Sequence, residues 1–99
     1  MKNVNIIRAH LDRQELLAQL AEEAAELAQA ALKLRRACAA GNPTPVGARL
    51  AFENLVEEMA DVSVCIHVLD FDDHDTADRC RRIMRRKLER WAVRLEVNT

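Results

Sequence analysis

Two short acidic patterns in the chain have the composition and spacing of a metal site. In each pattern, two carboxylates lie three residues apart, and residues at this spacing are neighbours on one face of a helix. Carboxylate oxygens are hard donors that suit Mg²⁺ or Mn²⁺, whereas zinc prefers His and Cys ligands. We therefore predict a divalent-metal site whose ligands are Glu23, Glu26, Glu58 and Asp61.

Helical geometry separates the two glutamates of each Glu-Glu doublet. At about 100° per residue, Glu23 lies at the edge of the apolar arc of its helix, whereas Glu22 points almost opposite. Glu58 lies beside the apolar face of the next helix in the same way, and Glu57 points to solvent. A partly buried carboxylate without a partner is costly, and a bound cation would compensate it. The alternative is an ordinary solvated acidic face.

The histidines provide two weaker candidate metal sites. His67 lies on the second helix away from the carboxylates, and a lone histidine on an apolar helix is usually a hydrogen-bonded core residue. His74 lies among aspartates at 72, 73 and 75, a cluster that helix capping explains more simply. Neither histidine is therefore included in the predicted site.

Three main helices are predicted to position the carboxylates, at about residues 13–40, 45–69 and 76–95. Asp12 and Glu15 resemble a capping box at the first helix start, and Gly41 suits its C-terminal end. Thr44 with Pro45 suits the start of the second helix, and the aspartates of residues 70–75 suit the start of the third. Residues 3–10 are expected to form a short extra turn or an arm. We predict one all-α domain spanning residues 1–99.

The apolar surface is large for a chain of 99 residues. The second helix presents a core face and further apolar residues around it, and a helix that is apolar nearly all round must be buried all round. We therefore predict an antiparallel helical hairpin that completes a four-helix bundle by homo-oligomerisation, as a homodimer or homotetramer. The predicted core face consists of Phe52, Leu55, Met59, Val62 and Ile66.

The third helix combines an apolar stripe with many basic residues. Lys87, Arg90 and Arg94 run along one flank of the stripe and are our candidates for phosphate contacts. The alternative is an exposed basic face that balances the acidic helices. Trp91 is expected in the core stripe, together with Ala77, Cys80, Met84, Leu88 and Leu95.

Charge and cysteine content limit the remaining function classes. The formal net charge of −1 argues against a general nucleic-acid binder, although an arginine-rich helix remains the basis of that weakest alternative. The longest apolar run, residues 62–69, is too short to span a membrane. The three cysteines are far apart and form no CxxC pair, which favours free thiols in a cytoplasmic protein.

The two acidic patterns also resemble those of a known superfamily. The segments Glu22-Glu23-Ala24-Ala25-Glu26-Leu27 and Glu57-Glu58-Met59-Ala60-Asp61-Val62 are similar to the paired ExxE and ExxD motifs of the MazG-like all-α nucleoside triphosphate pyrophosphohydrolases. That superfamily includes the MazG proteins, the dimeric dUTPases and phosphoribosyl-ATP pyrophosphohydrolase. The similarity covers about residues 12–95.

The resemblance implies Mg²⁺-dependent hydrolysis of a nucleoside triphosphate to a monophosphate and pyrophosphate. It implies that Glu23, Glu26, Glu58 and Asp61 hold magnesium, with Glu23 or Glu26 orienting the attacking water. House-cleaning hydrolysis of non-standard or excess nucleotides is the first expectation, and phosphoribosyl-ATP is the alternative substrate. A non-catalytic helical interaction module is the alternative of another class.

Overall fold

The computed structural model describes residues 1–39 and 47–97, which form helices and contain no strand. The helices are α1 (Lys2–His10), α2 (Arg13–Cys38), α3 (Ala48–Val68) and α4 (His74–Val97). The all-α prediction is confirmed for these residues, but they form four helices instead of the three main ones expected, because residues 3–10 belong to a complete helix. No described helix has an apolar stretch of the length that crosses a bilayer. The predicted caps at Gly41, Thr44 and Pro45 lie outside the described residues.

The chain divides into two compact units, which are described separately. The first unit, Met1–Leu69, contains α1, α2 and α3, and the second, Asp70–Thr99, contains α4. All four predicted metal ligands belong to the first unit. The predicted phosphate contacts belong to the second.

The start of α2 is defined by the predicted capping box. Asp12 precedes the helix, and its Oδ1 accepts a hydrogen bond from the backbone N–H of Glu15 at 2.8 Å. The Glu15 Oε1 accepts in return from the Asp12 N–H at 3.4 Å. These bonds satisfy backbone donors that have no partner within the helix, so they fix where α2 begins.

Helices α2 and α3 pack as an antiparallel hairpin. At one end, Leu16 lines a hollow with Val68 and Leu69, and towards the other end Ala30 lines a cleft with Ala51. The early part of α2 thus faces the late part of α3. This order of contacts brings the two acidic patterns to the same level of the hairpin.

The residues that face the partner helix recur at alternating steps of four and three. This is the spacing of the seam of a coiled coil, in which each helix presents two positions per heptad. We call these positions the seam. On α2 the seam consists of Leu16, Leu20, Glu23, Leu27, Ala30, Leu34 and Ala37, all of them buried or half-buried. On α3 it consists of Ala51, Leu55, Glu58, Val62 and Cys65, which are shielded in the same way.

The predicted core face of α3 is only partly the face that packs against α2. Phe52 and Met59 are 55% and 52% exposed, while Ala51 is only 2% exposed. Leu55, Val62 and Ile66 are half-buried. Leu55 and Val62 belong to both faces, so the contact face is turned by only about 60° from the face that the larger side chains suggested. The small side chain of Ala51 fits between the helices, whereas Phe52 would hold them apart.

Helix α1 is attached to the C-terminal end of α3 by Arg8. The Arg8 Nε donates to the carbonyl oxygen of Val68 at 2.9 Å, and Nη2 donates to that of His67 at 3.5 Å. The last carbonyls of a helix lack partners within it and attract positive charge. Asp70, just beyond this end, has a φ of 61°, in the left-handed region that commonly terminates a helix.

Helix α4 begins at the predicted polar corner. The Oδ2 of Asp73 accepts from the N–H of Thr76 at 3.3 Å. Hydrogen bonding with the Thr76 side chain, and then with its backbone, lowers the pKa of Asp73 below its ordinary value of 3.8. No residue of α4 is buried, and Trp91 is 58% exposed. The apolar stripe expected in a core is thus exposed in this unit; it also contains Met84, Leu88 and Leu95.

Candidate metal centre

Two of the predicted ligands occupy seam positions. Glu23 on α2 and Glu58 on α3 are half-buried, each where a coiled-coil seam normally holds an apolar residue. The Oε2 atom of each is buried without a hydrogen-bond partner. Because buried polar atoms are nearly always partnered, two unpartnered carboxylate oxygens at one level of the hairpin require an explanation.

The structure brings three of the four predicted ligands together. Glu23, Glu26 and Glu58 each offer one carboxylate oxygen, and these three atoms lie within 4.8 Å of one another. Within residues 1–39 and 47–97, no other group of three or more His, Cys, Asp or Glu side chains converges in this way, including those around His67 and His74. Glu26 is exposed and borders the half-buried pair from the solvent side.

The fourth predicted ligand, Asp61, lies outside this triad but within its electrostatic field. Burial raises the pKa of Glu23 above its ordinary value of 4.5, a hydrogen bond from Gln19 lowers it, and the charges of Glu26 and Asp61 raise it again. Asp61 therefore acts on Glu23 through its charge, and its role as a fourth ligand stays a prediction.

Gln19 was not identified from the sequence. Its Nε2 donates to the Oε1 of Glu23 at 2.8 Å. This bond holds one oxygen of Glu23 in place while the other stays unpartnered. The four-residue spacing between Gln19 and Glu23 was the usable signal, because residues i and i+4 contact each other on a helix.

A divalent cation fits the donors that are present. Oxygens that share one octahedral Mg²⁺ lie about 3 to 4 Å apart, so donors within 4.8 Å need only small side-chain rotations to converge. All of them are hard carboxylate oxygens, which favours Mg²⁺ or Mn²⁺ over zinc. A cation would also satisfy the two buried oxygens and replace the mutual repulsion of the carboxylates by attraction.

An open cleft of about 380 Å³ adjoins the carboxylates between α2 and α3. The residues that line it include Glu26, Ala30, Lys33, Ala51 and Glu58. A volume of this size is at the lower end of small-molecule binding sites. The metal-site residues therefore border a space that could accept a ligand.

The predicted phosphate contacts share one surface of α4. Lys87, Arg90 and Arg94 line a single exposed hollow together with Trp91. Their common surface agrees with the spacing read from the sequence. The assignment of phosphate binding to them remains a prediction.

No protein-family model, curated protein or solved structure matches this chain. The site assignment therefore depends on the carboxylates themselves, their burial and the space beside them.

Proposed function

We propose that this chain is a Mg²⁺-dependent nucleotide pyrophosphohydrolase that hydrolyses nucleoside triphosphates to monophosphate and pyrophosphate. The observation that carries the proposal is the pair of buried, unpartnered oxygens on Glu23 and Glu58, with an oxygen of Glu26 close by. A purely structural seam would place apolar residues at these two positions. Their replacement by carboxylates is explained when the hairpin holds a cation.

The carboxylates would divide the work of the reaction between them. Glu23, Glu26, Glu58 and Asp61 would hold Mg²⁺, which when bound neutralises phosphate oxygens and acidifies water. Glu23 or Glu26 would orient the attacking water, and Gln19 would keep Glu23 in position. Attack of that water on phosphorus would form a new P–O bond and break the anhydride bond between the α and β phosphates. Pyrophosphate would leave, and the water's proton would pass to the carboxylate that orients it.

The substrate class follows from the resemblance of the two acidic patterns to the MazG-like motifs. House-cleaning hydrolysis of non-standard or excess nucleoside triphosphates is the first proposal, with phosphoribosyl-ATP as the alternative substrate. The hollow of Lys87, Arg90 and Arg94 is a second phosphate-binding surface under this proposal.

We further propose that the chain acts as a homodimer or homotetramer, in which hairpins complete a four-helix bundle. Six hydrophobic side chains are buried within the described residues, whereas large apolar side chains are exposed on both α3 and α4. On α3 the exposed set includes Phe52, Val56 and Met59, which repeat the steps of four and three on a second face. A second copy of the chain would cover such a face.

The same exposed apolar residues support one function of another class. A helical interaction module would use them to bind a partner, and its carboxylates would be merely solvated. It would neither bind divalent metal at Glu58 nor change its properties when that charge is removed.

The deciding experiment is measurement of pyrophosphate release from a panel of nucleoside triphosphates that includes dUTP, dCTP and modified bases. It compares wild type with Glu58→Gln in the presence of Mg²⁺, Mn²⁺ or EDTA. Metal-dependent release that the variant loses is the expected result. Metal binding without release from any member of the panel would direct the assay to phosphoribosyl-ATP. If the wild type shows neither pyrophosphate release nor metal binding, the enzyme proposal is refuted and the interaction module is favoured.

A further inference from the structure

The cleft beside the carboxylates also contains a positively charged side chain, which is not one of the predicted metal ligands. Lys33 lines it, and no ion pair joins Lys33 to another of the described residues. Three glutamates, Glu26, Glu57 and Glu58, line the same cleft. A lysine in acidic surroundings normally pairs with a carboxylate. Because Lys33 makes no such pair with the described residues, its ammonium group is free to bind another anion.

The charges of the cleft indicate when an anion could enter. Without metal, three carboxylates and one ammonium group repel a phosphate. Once a divalent cation is held at the triad, the end of the cleft near Glu26 and Glu58 becomes attractive to anions, as Lys33 already is. Anion binding should therefore require the metal.

The position of Lys33 suits the end of a phosphate chain. Lys33 lies seven residues after Glu26 on α2, which is about 10 Å along the helix at 1.5 Å per residue. A flexible lysine side chain reaches back several ångströms towards the carboxylates. A phosphate chain that began at the triad would thus end within reach of its ammonium group.

The walls between the two ends are also suited to phosphate. Ala30 and Ala51 are buried seam residues whose small side chains leave room between the helices. Asn54 and Gln29 line the cleft and carry neutral amide donors, which can bond phosphate oxygens without adding charge. Cation, amides and small residues occur together in one space bordered by the metal ligands.

We propose that this cleft binds the pyrophosphate end of the substrate and that Lys33 is its phosphate-binding cation. The inference rests on the proposed function, because it places the leaving group relative to the metal site. It also assigns the first phosphate contact to the unit that holds the carboxylates, independently of the basic residues on α4.

The test measures binding of inorganic pyrophosphate by calorimetry, in saturating Mg²⁺ and in EDTA. Lys33→Met removes the charge, Lys33→Arg retains it, and Lys2→Met is the matched control on the exposed surface of α1. Loss of a charged hydrogen bond to phosphate should weaken pyrophosphate binding by about ten- to a hundredfold in Lys33→Met. Mg²⁺ binding without pyrophosphate, measured separately, should be unchanged in all three variants. Lys33→Arg should restore most of the affinity.

Each outcome distinguishes the inference from the proposed function. Absence of Mg²⁺ binding by the wild type would overturn the proposed function and the inference with it. Mg²⁺ binding by the wild type, with equal pyrophosphate affinity for wild type and Lys33→Met, would overturn the inference alone. The inference alone would also be overturned if the wild type binds Mg²⁺ but no pyrophosphate. A further variant, Lys87→Met on α4, gives the last outcome: loss of pyrophosphate affinity in this variant but not in Lys33→Met would likewise overturn the inference alone.

Discussion

Magnesium should stabilise the folded chain, and Glu58→Gln should remove about half of that effect. In the folded hairpin, Glu23, Glu26 and Glu58 offer convergent oxygens. Glu23 and Glu58 each have a buried oxygen without a hydrogen-bond partner. The unfolded chain holds no such arrangement. A ligand that binds only the folded state raises the free energy of unfolding according to its concentration relative to Kd.

The expected size follows from this linkage. At a Mg²⁺ concentration of about 100 times Kd, the free energy of unfolding rises by about 2.7 kcal/mol. Since 1 kcal/mol corresponds to about 4 to 8 °C for a domain of this size, Tm should rise by about 10 to 20 °C. Removing one of three convergent ligands should weaken Mg²⁺ binding at least about tenfold, because even outer-sphere changes cost that much. The variant then retains about 1.4 kcal/mol of stabilisation.

Thermal unfolding followed by circular dichroism, with and without Mg²⁺, measures both quantities. All samples are compared at one protein concentration, because the Tm of an oligomer depends on it. Glu22→Gln is the matched control, since it removes the same charge from an exposed neighbour of the site. It should retain the full magnesium effect. Equal Mg²⁺ stabilisation of wild type and Glu58→Gln would refute the reasoning, because the ion would then bind elsewhere.

Three further predictions follow from individual residues. Asp70→Val should lower the free energy of unfolding by about 1 to 2 kcal/mol in denaturant titrations, because a β-branched side chain is strained at a φ of 61°, whereas Asp70→Asn should change it little. Cys38, which is exposed, should react with iodoacetamide much faster than Cys65, whose pKa is raised by burial; equal rates in mass-spectrometric mapping would contradict the structure. In EDTA, the contribution of Glu23 to stability should be full below pH 4.5 and lost as the pH rises through its raised folded pKa. The difference in unfolding free energy between wild type and Glu23→Gln should therefore become less favourable to wild type with rising pH, and a trend in the other direction would contradict the assignment.

The features predicted correctly from sequence are set by near neighbours in the chain. The capping box at Asp12 depends on residues three positions apart, and so does the placement of each acidic pair on one helical face. These local relations do not depend on contacts with distant parts of the chain. The spacing within each helix could therefore be read from the sequence; across the hairpin, the structure brings Glu23, Glu26 and Glu58 together, and the inclusion of Asp61 stays a prediction.

The features that could not be predicted depend on contacts distant in sequence. The face of α3 that meets α2 was misplaced because Phe52 and Met59 have larger side chains than Ala51, and size was taken as a sign of burial. The alternating steps of four and three through Glu58 were the better signal. Helix α1 has only nine residues, and Arg8 connects it to the end of α3, some 60 residues away in the sequence.

The order of the elements along the chain has a consequence for the predicted metal site. All four carboxylates lie between Glu23 and Asp61, and residues Met1–Leu69 form a compact unit. Because the ligands belong to consecutive helices, few residues separate them in the chain, and the loop-closure entropy for bringing them together is small. Every group that would bind the metal therefore precedes α4 in the chain. Metal binding at these residues would depend on the first compact unit alone, and a polypeptide that ended at Leu69 would keep all four predicted ligands.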